Sequence, residues 1–394
     1  MALTIVIIDR NIIDSRYANN PEDGKGFYTY GFGSLYARQL KKHQPEINVE
    51  CWKADPRIKS LQAEKIQDVF YRIFPSIEFK KIGQYSASMI RFLKAWKKQN
   101  PETVYFLNSF NHLLFYSLAP HLKKVPLVVQ NHGESTAKYK VATKKGIKKL
   151  SWIIRMPIEK RCFKSIDLLF ILDERLHKWL PQNAKQPVII QSTVGVDDSV
   201  VISLDKKVSK SILGLDQSKK HLLYIGRLNY TKRPDILIDI YNELKLERSD
   251  VDLILAGHET SDPLVQRAKD SGALMFGPIM HTEIYLYLSA ADIYLLPDYT
   301  DNHTFGGIGL LPVEAIMCNT PVVGGSLRNF PKNDRHFVGI YASKQDDIKD
   351  AIKSILDGKM KFGETRQYAI RHYSWENVCA RVVKHFYHLA SCYR

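Results

Sequence analysis

The chain has 394 residues, about twice what one hydrophobic core usually organises, so two domains of roughly 200 residues are expected. Hydrophobic residues make up 45% and charged residues 25%, an ordinary globular composition that argues against long disordered regions. The formal net charge of +16 points to an anionic partner, which could be a nucleotide, a phospholipid surface or a nucleic acid.

The cysteines and the amino terminus indicate the compartment. The five cysteines are scattered and form no C-x-x-C pair, so neither a disulfide framework nor a zinc site is expected. The start MALTIVIIDR reaches a charge too early for a signal peptide, and no stretch approaches the roughly 20 apolar residues that span a bilayer. We expect a cytoplasmic protein, with peripheral binding to the inner face of the cell membrane as a further option.

Short apolar runs alternate with amphipathic stretches along the chain. The first half carries LTIVIID, VYFLN, PLVVQNH and LLFIL, and the second carries LLYIG, VDLILAG, IYLLP and TPVVG. Buried parallel strands have this composition because helices cover both faces of their sheet, so we predict an α/β fold of two doubly wound, Rossmann-like domains. The break is placed near residues 195–220, which are polar and rich in lysine. A C-terminal helix is predicted to cover a core with Trp375, Val378, Val382 and Phe386.

In the first half, two candidate site segments follow predicted strands, where ligands bind in open parallel sheets. The loop GKGFYTYGFGSLYARQL follows the first strand and carries Gly31 and Gly33 before a helix. His132 and Gly133 follow the run PLVVQ. A histidine in this position is either structural or catalytic, and the pattern leaves both interpretations open.

In the second half, the segment GRLNYTKR follows the run LLYI. Gly226 permits a tight turn, and Arg227 and Lys232 stand in the loop that leads to the next helix. Two cations here could hold a diphosphate and stabilise the charge on it as it leaves, a task that a metal ion performs in some enzymes. The alternative is an ordinary solvated loop.

A glycine-rich loop follows the run IYLLP in the segment PDYTDNHTFGGIGLLPVEAIM. Gly306, Gly307 and Gly309 precede a helix that is predicted to begin near Leu310, and such glycines let a backbone approach phosphate closely. Glu314 falls about one turn inside this helix, where it could accept hydrogen bonds from ribose hydroxyls. The alternative is an exposed helical carboxylate.

Taken in order, these motifs resemble the large retaining glycosyltransferase family numbered four, the glycosyl transferases group 1. That family has the GT-B fold, in which two Rossmann-like domains face each other across a cleft. The similar segments are GFGSLYARQL, NHG, VGVD, GRLNYTKR, GPIMHTEIYLYLSAADIYLLP and SWENV. Each motif is weak alone, but six in the same order as in the family are hard to obtain by chance.

The resemblance implies a hexosyltransferase that moves a sugar from a nucleotide diphosphate to a glycan or lipid-linked acceptor, with retention and without a metal or other cofactor. It also implies an acceptor-side domain over 1–200, a nucleotide-sugar domain over 201–370 and a helix over 371–394 that crosses back. The residues implied as catalytic are His132 near the transferred sugar and Arg227 and Lys232 at the diphosphate. The residues implied at the donor are Gly31, Gly33, Gly277, Pro278, Ile279, Gly306, Gly307, Gly309 and Glu314.

The sequence departs from the family at one position. The family usually carries a glutamate eight residues before the position of Glu314, and here that residue is Gly306. The preceding loop offers Asp298, Asp301, Asn302 and His303 as replacements. If the missing carboxylate only positions the sugar, retention remains possible by a front-face displacement, whereas a role in a covalent step would put activity in doubt.

Residues 138–161 form a basic stretch with nine lysines and arginines against one glutamate. Ile147, Leu150, Ile154 and Ile158 recur at helical spacing in it, and Trp152 lies among them. A cationic amphipathic helix of this kind suits shallow binding to anionic lipid. The equal alternative is a helix that packs its apolar face on its own domain.

Several other functions remain as alternatives to a metal-independent glycosyltransferase. Asp250 and Asp252 have the Asp-x-Asp spacing of metal-dependent transferases, but they precede a predicted strand instead of following one. A nucleic-acid-binding protein would explain the charge, although the basic residues are dispersed and no nucleic-acid module is recognised, so nucleic acid is not the expected partner. The remaining two competitors are a GT-B protein that has lost catalysis and a GT-B nucleotide-sugar isomerase.

Overall fold

The computed structural model describes residues 2–9, 26–29, 31–79, 82–181, 186–229, 232–257, 263–297, 305–363 and 365–393. The chain divides into two compact units. Unit 1 comprises Met1–Gly195, His303–Gly306 and Val378–Arg394, and unit 2 comprises Val196–Asn302 and Gly307–Asn377. The domain limits predicted from the sequence lie at residues 200 and 370, and the grouping of a segment of the long loop with unit 1 was not predicted.

Unit 1 is built on an eight-stranded sheet with the order β10-β9-β8-β7-β1-β2-β4-β3. Neighbouring strands are parallel except for the antiparallel pair of β3 and β4. Its strands are β1 (Thr4–Asp9), β2 (Asn48–Asp55), β3 (Gln62–Ile66), β4 (Val69–Pro75), β7 (Val104–Leu107), β8 (Leu127–Gln130), β9 (Leu168–Ile171) and β10 (Val188–Ile190), with a small antiparallel hairpin of β5 (Ile77–Phe79) and β6 (Gly83–Tyr85).

The helices of unit 1 connect these strands. They are α1 (Gly26–Thr29), α2 (Phe32–His43), α3 (Ala87–Gln99), α4 (Leu113–Leu118), α5 (Ala137–Thr143) and α6 (Gly146–Phe163). The last helix of the chain, α15 (Trp375–Cys392), belongs to unit 1 from Val378 onward. Its predicted apolar residues Trp375, Val378, Val382 and Phe386 are all buried, and the ring of Phe386 lies 5.9 Å from that of Phe106.

Unit 2 is built on a six-stranded sheet with the order β13-β12-β11-β14-β15-β16, in which all neighbours are parallel. Its strands are β11 (Lys220–Ile225), β12 (Val251–Ala256), β13 (Leu274–Phe276), β14 (Ile293–Leu296), β15 (Val322–Gly324) and β16 (Gly339–Ile340). Its helices are α7 (Lys206–Ile212), α8 (Pro234–Glu247), α9 (Pro263–Asp270), α10 (Ile284–Ala290), α11 (Leu310–Met317), α12 (Arg335–Val338), α13 (Gln345–Leu356) and α14 (Thr365–Tyr373). This is the doubly wound order, with its switch point between β11 and β14.

The predicted apolar runs all form strands. The runs VYFL, LVVQ and LLFI in unit 1 and IYLL in unit 2 are buried at every position, as expected for parallel strands covered on both faces. Because the carboxyl ends of parallel strands meet at one edge of a sheet, each unit collects its strand-end loops at such an edge. Within the described residues, no helix combines the length and apolar character needed to cross a membrane.

Candidate active site

The basic loop of unit 2 begins where the central strand β11 ends. Arg227 is exposed, and the chain turns after it through hydrogen bonds from Asn229 N to Arg227 O (3.0 Å) and from Lys232 N to Asn229 O (2.9 Å). Burial, and next the positive charge of Arg227, lower the pKa of Lys232. The two cations are therefore close enough to repel each other, and a bound anion would relieve that repulsion.

The segment implied at the nucleotide base lies beside the end of β12. Gly257, the first residue after β12, donates its N–H towards the carbonyl oxygens of Phe276 (3.2 Å) and Gly277 (3.3 Å). A Cβ on Gly257 would lie 2.0 Å from the carbonyl oxygen of Gly226, so only glycine fits between the ends of β11 and β12. Gly277, Pro278 and Ile279 thus start at the same sheet edge as Arg227.

Helix α11 begins at Leu310, as the sequence predicted. Gly309 caps it with φ of 84°, a conformation that favours glycine. Glu314 is 2% exposed, so the alternative of an exposed helical carboxylate is wrong. Its Oε1 accepts a hydrogen bond from His281 Nε2 at 2.7 Å. His281 was not among the residues that the sequence singled out.

In unit 1 the glycine loop lies against the end of β1. Gly31, with φ of 100°, precedes α2, and Gly33 donates its N–H to Asp9 Oδ2 at 3.0 Å. A Cβ on Gly33 would lie 2.6 Å from that of Asp9, so a side chain cannot be added there without moving the strand end or the helix. The glycine at this position allows α2 to start directly over β1.

His132 is held by polar residues from neighbouring strand ends. Its Nε2 donates to Asn108 Oδ1, and its backbone N–H donates to Glu134 Oε2 at 2.7 Å. The edge of Phe32, the first residue of α2, contacts its ring at 5.0 Å between centroids. The structure therefore brings the glycine loop and the histidine motif of the first half together.

Glu134 organises the loops after β7 and β8. Besides His132, its carboxylate accepts hydrogen bonds from Asn131 Nδ2 (3.0 Å) and from the hydroxyl of Ser109. Ser109 is buried and has φ of 143°, a strained conformation for a residue other than glycine. Asn108, Ser109, Asn131 and Glu134 were missed by the sequence analysis, although all four follow the predicted strands VYFL and LVVQ.

The departure at Gly306 lies in the part of the long loop that groups with unit 1. Phe305 is 3% exposed, donates its N–H to Gly133 O at 3.2 Å and packs its ring against Tyr139 at 5.0 Å between centroids. Among the residues that the structure describes, no atom would lie within 4 Å of a Cβ on Gly306. The proposed replacements Asp298, Asp301, Asn302 and His303 lie outside the described residues, as does most of that loop.

The competing Asp-x-Asp pair lies at the opposite end of its strand from the candidate site. Asp250 directly precedes β12 and accepts hydrogen bonds from Arg248, at 2.7 Å from Nε to Oδ1. Asp252 accepts from Lys219 Nζ at 2.9 Å. Both carboxylates therefore neutralise local cations at the amino edge of the sheet.

A family model described as glycosyl transferases group 1 matches residues 205–372. The chain is 27% identical over 211 residues to a D-inositol 3-phosphate glycosyltransferase of Arthrobacter sp. (strain FB24), covering 50% of this chain and 49% of that protein. It is 28% identical over 203 residues to the protein of the same name from Mycobacterium tuberculosis (strain ATCC 25177 / H37Ra), covering 46% of this chain and 40% of that protein. The chain thus aligns with less than half of the length of these relatives.

Solved structures resemble the whole chain. Sucrose-phosphate synthase of Thermosynechococcus elongatus has a TM-score of 0.63 at 16% identity and covers 99% of this chain and 100% of its own. A UDP-forming α,α-trehalose-phosphate synthase of Burkholderia vietnamiensis has a TM-score of 0.64 at 10% identity, with full coverage of both chains. Anabaena HepE in complex with UDP has a TM-score of 0.65 at 13% identity and covers 98% and 100%. These similarities confirm the predicted fold, two Rossmann-like domains of the GT-B type.

Proposed function

We propose that this chain, a GT-B protein that belongs to the glycosyl transferases group 1, transfers a hexose from a uridine diphosphate sugar to a glycan or lipid-linked acceptor. The observation that carries the proposal is the pair of mutually repelling cations, Arg227 and Lys232, at the end of the central strand β11. This is the switch point of the sheet, where doubly wound folds bind nucleotides. Uridine is favoured because two of the solved structures similar to this chain are described as UDP-forming or UDP-bound.

In this proposal the cations act mainly on the leaving diphosphate. Arg227 and Lys232 bind its oxygens and stabilise the negative charge that grows as the glycosidic bond breaks. The carboxylate of Glu314 accepts hydrogen bonds from the ribose hydroxyls, and the backbone of residues 277–279 contacts the base. His132 contacts the transferred sugar, as the resemblance to the family implies.

The donor site is tested by thermal unfolding with UDP, GDP, ADP and CMP. We expect UDP to stabilise the wild type by about 2.7 kcal/mol at one hundred times its Kd, and to have little effect on the Arg227→Ala plus Lys232→Ala variant. The matched control is Lys219→Ala plus Lys220→Ala, which removes the same charge at the other end of β11. Equal stabilisation of all three proteins by UDP would refute the assignment of the phosphate site.

Transfer is proposed to proceed without a metal and with retention of the anomeric configuration. The two cations supply the positive charge that a metal would bring, and Asp250 and Asp252 are engaged at the other end of their strand. Activity that survives EDTA, and a product whose anomeric proton coupling in NMR matches that of the donor, are the expected results. Turnover of the nucleotide sugar without any acceptor would instead indicate an isomerase.

We also propose that α6 binds an anionic membrane and brings the enzyme to its acceptor. The predicted apolar stripe is exposed in the structure, at 87% for Ile147, 56% for Leu150, 62% for Ile154 and 47% for Ile158. This exposure supports the membrane proposal over the alternative in which the helix packs its apolar face on its own domain. The single acidic residue of the basic stretch, Glu159, is buried, so the exposed surface of the stretch carries cations without acids.

Charge complementarity favours a phospholipid surface as the occupant of this helix. Each lysine or arginine near an anionic membrane contributes about 1 kcal/mol, and the exposed isoleucines and leucine can enter the headgroup region. Trp152, with the guanidinium of Arg155 4.8 Å from its ring, is a residue type typical of membrane interfaces.

Vesicle sedimentation tests the membrane proposal. Replacing Lys144, Lys145, Lys148 and Lys149 by glutamine should abolish most binding to phosphatidylserine vesicles, with little effect on neutral vesicles. The control variant replaces four exposed lysines of unit 2 by glutamine and therefore has the same net charge as the first variant. These lysines are Lys207, Lys332, Lys344 and Lys361. Binding that is lost equally in both variants, or a higher affinity for duplex DNA than for vesicles, would contradict it.

A further inference from the structure

His281 and Glu314 form an ion pair at the carboxyl edge of the unit 2 sheet. His281 opens the short 3₁₀ turn His281–Glu283, which follows residues 277–279 and leads into α10. Glu314 lies on α11, one turn after the glycine loop. The side chain of Glu314 is 3% exposed, whereas that of His281 is 63% exposed.

The ion pair joins the buried carboxylate of Glu314 to the exposed imidazole of His281. The hydrogen bond to Glu314 is the largest cause that raises the pKa of His281, and the charges of Glu314 and Asp197 add to it against the opposing effect of burial. A buried carboxylate is costly unless its charge is compensated. In the part of the chain that the structure describes, His281 is the side chain that donates to it.

His281 leaves room for a ligand on the same carboxylate. An ionised carboxylate offers about four lone-pair sites on its two oxygens, and His281 Nε2 occupies one of them on Oε1. The sites on Oε2 remain for hydroxyl donors. Two vicinal hydroxyls of a ribose could therefore bind while the histidine stays in place.

We propose that His281 is a positioning residue for nucleotide recognition, because it compensates the charge of Glu314 and holds its carboxylate in the orientation that accepts the ribose hydroxyls. The inference rests on the proposed function, in which Glu314 contacts the ribose. His281 thereby sets the preference for a ribonucleotide over its 2′-deoxy analogue. Without it, the carboxylate of Glu314 is free to change rotamer, and the ribose loses an acceptor.

Calorimetric titration with UDP and 2′-deoxy-UDP tests this role. The His281→Leu variant should bind UDP about tenfold more weakly than the wild type, the loss expected for one charged hydrogen bond. The loss for 2′-deoxy-UDP should be clearly smaller, because this ligand keeps only the 3′-hydroxyl as a donor to Glu314. The His281→Gln variant keeps a hydrogen-bond donor but not the positive charge, so it should recover part of the preference. Thr282→Leu places the same side chain one residue further along the exposed turn and serves as the control.

A second readout needs no nucleotide. NMR titration of the His281 imidazole should give a lower pKa in Glu314→Gln than in the wild type, since the substitution removes the partner that raises it. An unchanged pKa would show that the pair does not form in solution and would overturn the inference.

The outcomes separate this inference from the proposed function. If the wild type binds UDP but His281→Leu loses affinity for UDP and 2′-deoxy-UDP equally, or gains affinity, His281 does not act through the ribose and the inference fails alone. If the wild type does not bind UDP at all, the proposed donor fails and the inference fails with it.

Discussion

Single residues at the strand ends are constrained by how closely the backbone segments approach one another. Gly257 and Gly33 are required by neighbours, since an added Cβ would lie 2.0 Å from Gly226 O and 2.6 Å from the Cβ of Asp9. Gly306 is different. Its added Cβ would meet no atom of the described residues within 4 Å, and its φ lies outside the left-handed region. The described part of the chain therefore gives no steric reason for a glycine at residue 306.

Gly306→Glu should consequently be tolerated. We expect its free energy of unfolding to lie within about 1 kcal/mol of the wild type, because a side chain at a compatible φ also restricts the unfolded chain. Gly309→Ala is the comparison, since φ of 84° should make it destabilising by about 1 kcal/mol. Urea denaturation measures both. A larger loss in Gly306→Glu than in Gly309→Ala would contradict this interpretation of the loop.

Among the secondary-structure elements, β2 and β4 show what an apolar pattern overlooks. Neither NVECWKAD nor VFYRIFP was predicted as a strand from the sequence, and charged residues interrupt both runs. In the structure, Arg72 Nε donates to Glu50 Oε2 at 2.9 Å across the two strands, and Lys53, 1% exposed, donates to Tyr28 O at 2.8 Å. Charged side chains can thus be buried where other elements supply their hydrogen-bond partners.

The basic stretch was predicted to form one amphipathic helix. This was wrong, because the stretch forms parts of two separate helices. The chain breaks at Lys144 and Lys145, which have extended backbones, so α5 ends at Thr143 and α6 begins at Gly146. Both oxygens of Glu159, on α6, accept hydrogen bonds from Ala137 N, at the start of α5. The buried carboxylate of Glu159 thus links the two helices through these hydrogen bonds.

Glu159 should make the stability of unit 1 depend on pH. Burial raises its pKa from 4.5 to about 7, against the opposing hydrogen bonds from Ala137 and Tyr116. Below pH 4.5 the carboxyl is protonated in both the folded and the unfolded state, and stability is lost as pH rises towards 7 because the folded state resists ionisation. At about 1.4 kcal/mol per pH unit, the loss approaches roughly 3 kcal/mol.

Glu159→Gln should remove this dependence. Between pH 5 and pH 8 the wild type should lose about 2 kcal/mol of stability relative to the variant, as measured by urea denaturation. Glu174→Gln, at an exposed glutamate of the same unit, should follow the wild type. If the free energies of unfolding of the wild type and Glu159→Gln changed equally with pH, burial would not raise the pKa of Glu159.

In the molecule as a whole, the core of unit 1 draws on distant parts of the chain. Its buried residues include Phe305 from the long loop, and α15 supplies Phe386 against Phe106 of β7. The first unit therefore cannot complete its core until the last helix of the chain is available. The contacts are far apart in sequence, which predicts slow folding of this unit.

Phe386→Ala should destabilise unit 1 by about 3–5 kcal/mol, since it leaves a cavity where a fully buried ring was. Tyr387→Ala changes the neighbouring residue, which is 44% exposed, and should cost much less. Stability can be followed by urea denaturation, with the UDP-dependent transition reporting on unit 2. Equal losses for the two variants would argue that α15 only lies on the surface.

Two doubly wound domains, their parallel strands and the loops that follow them could be predicted from the amino-acid pattern, because burial on both faces leaves continuous apolar runs and strand ends are marked by glycine and polar residues. The order of the motifs also indicated the family whose model matches residues 205–372. The pattern could not show that Glu314 is buried and paired with His281, that His132 is held by Asn108 and Glu134, or that the stripe of α6 is exposed. Each of these features depends on which elements pack together in the folded chain. A local sequence pattern does not determine that packing.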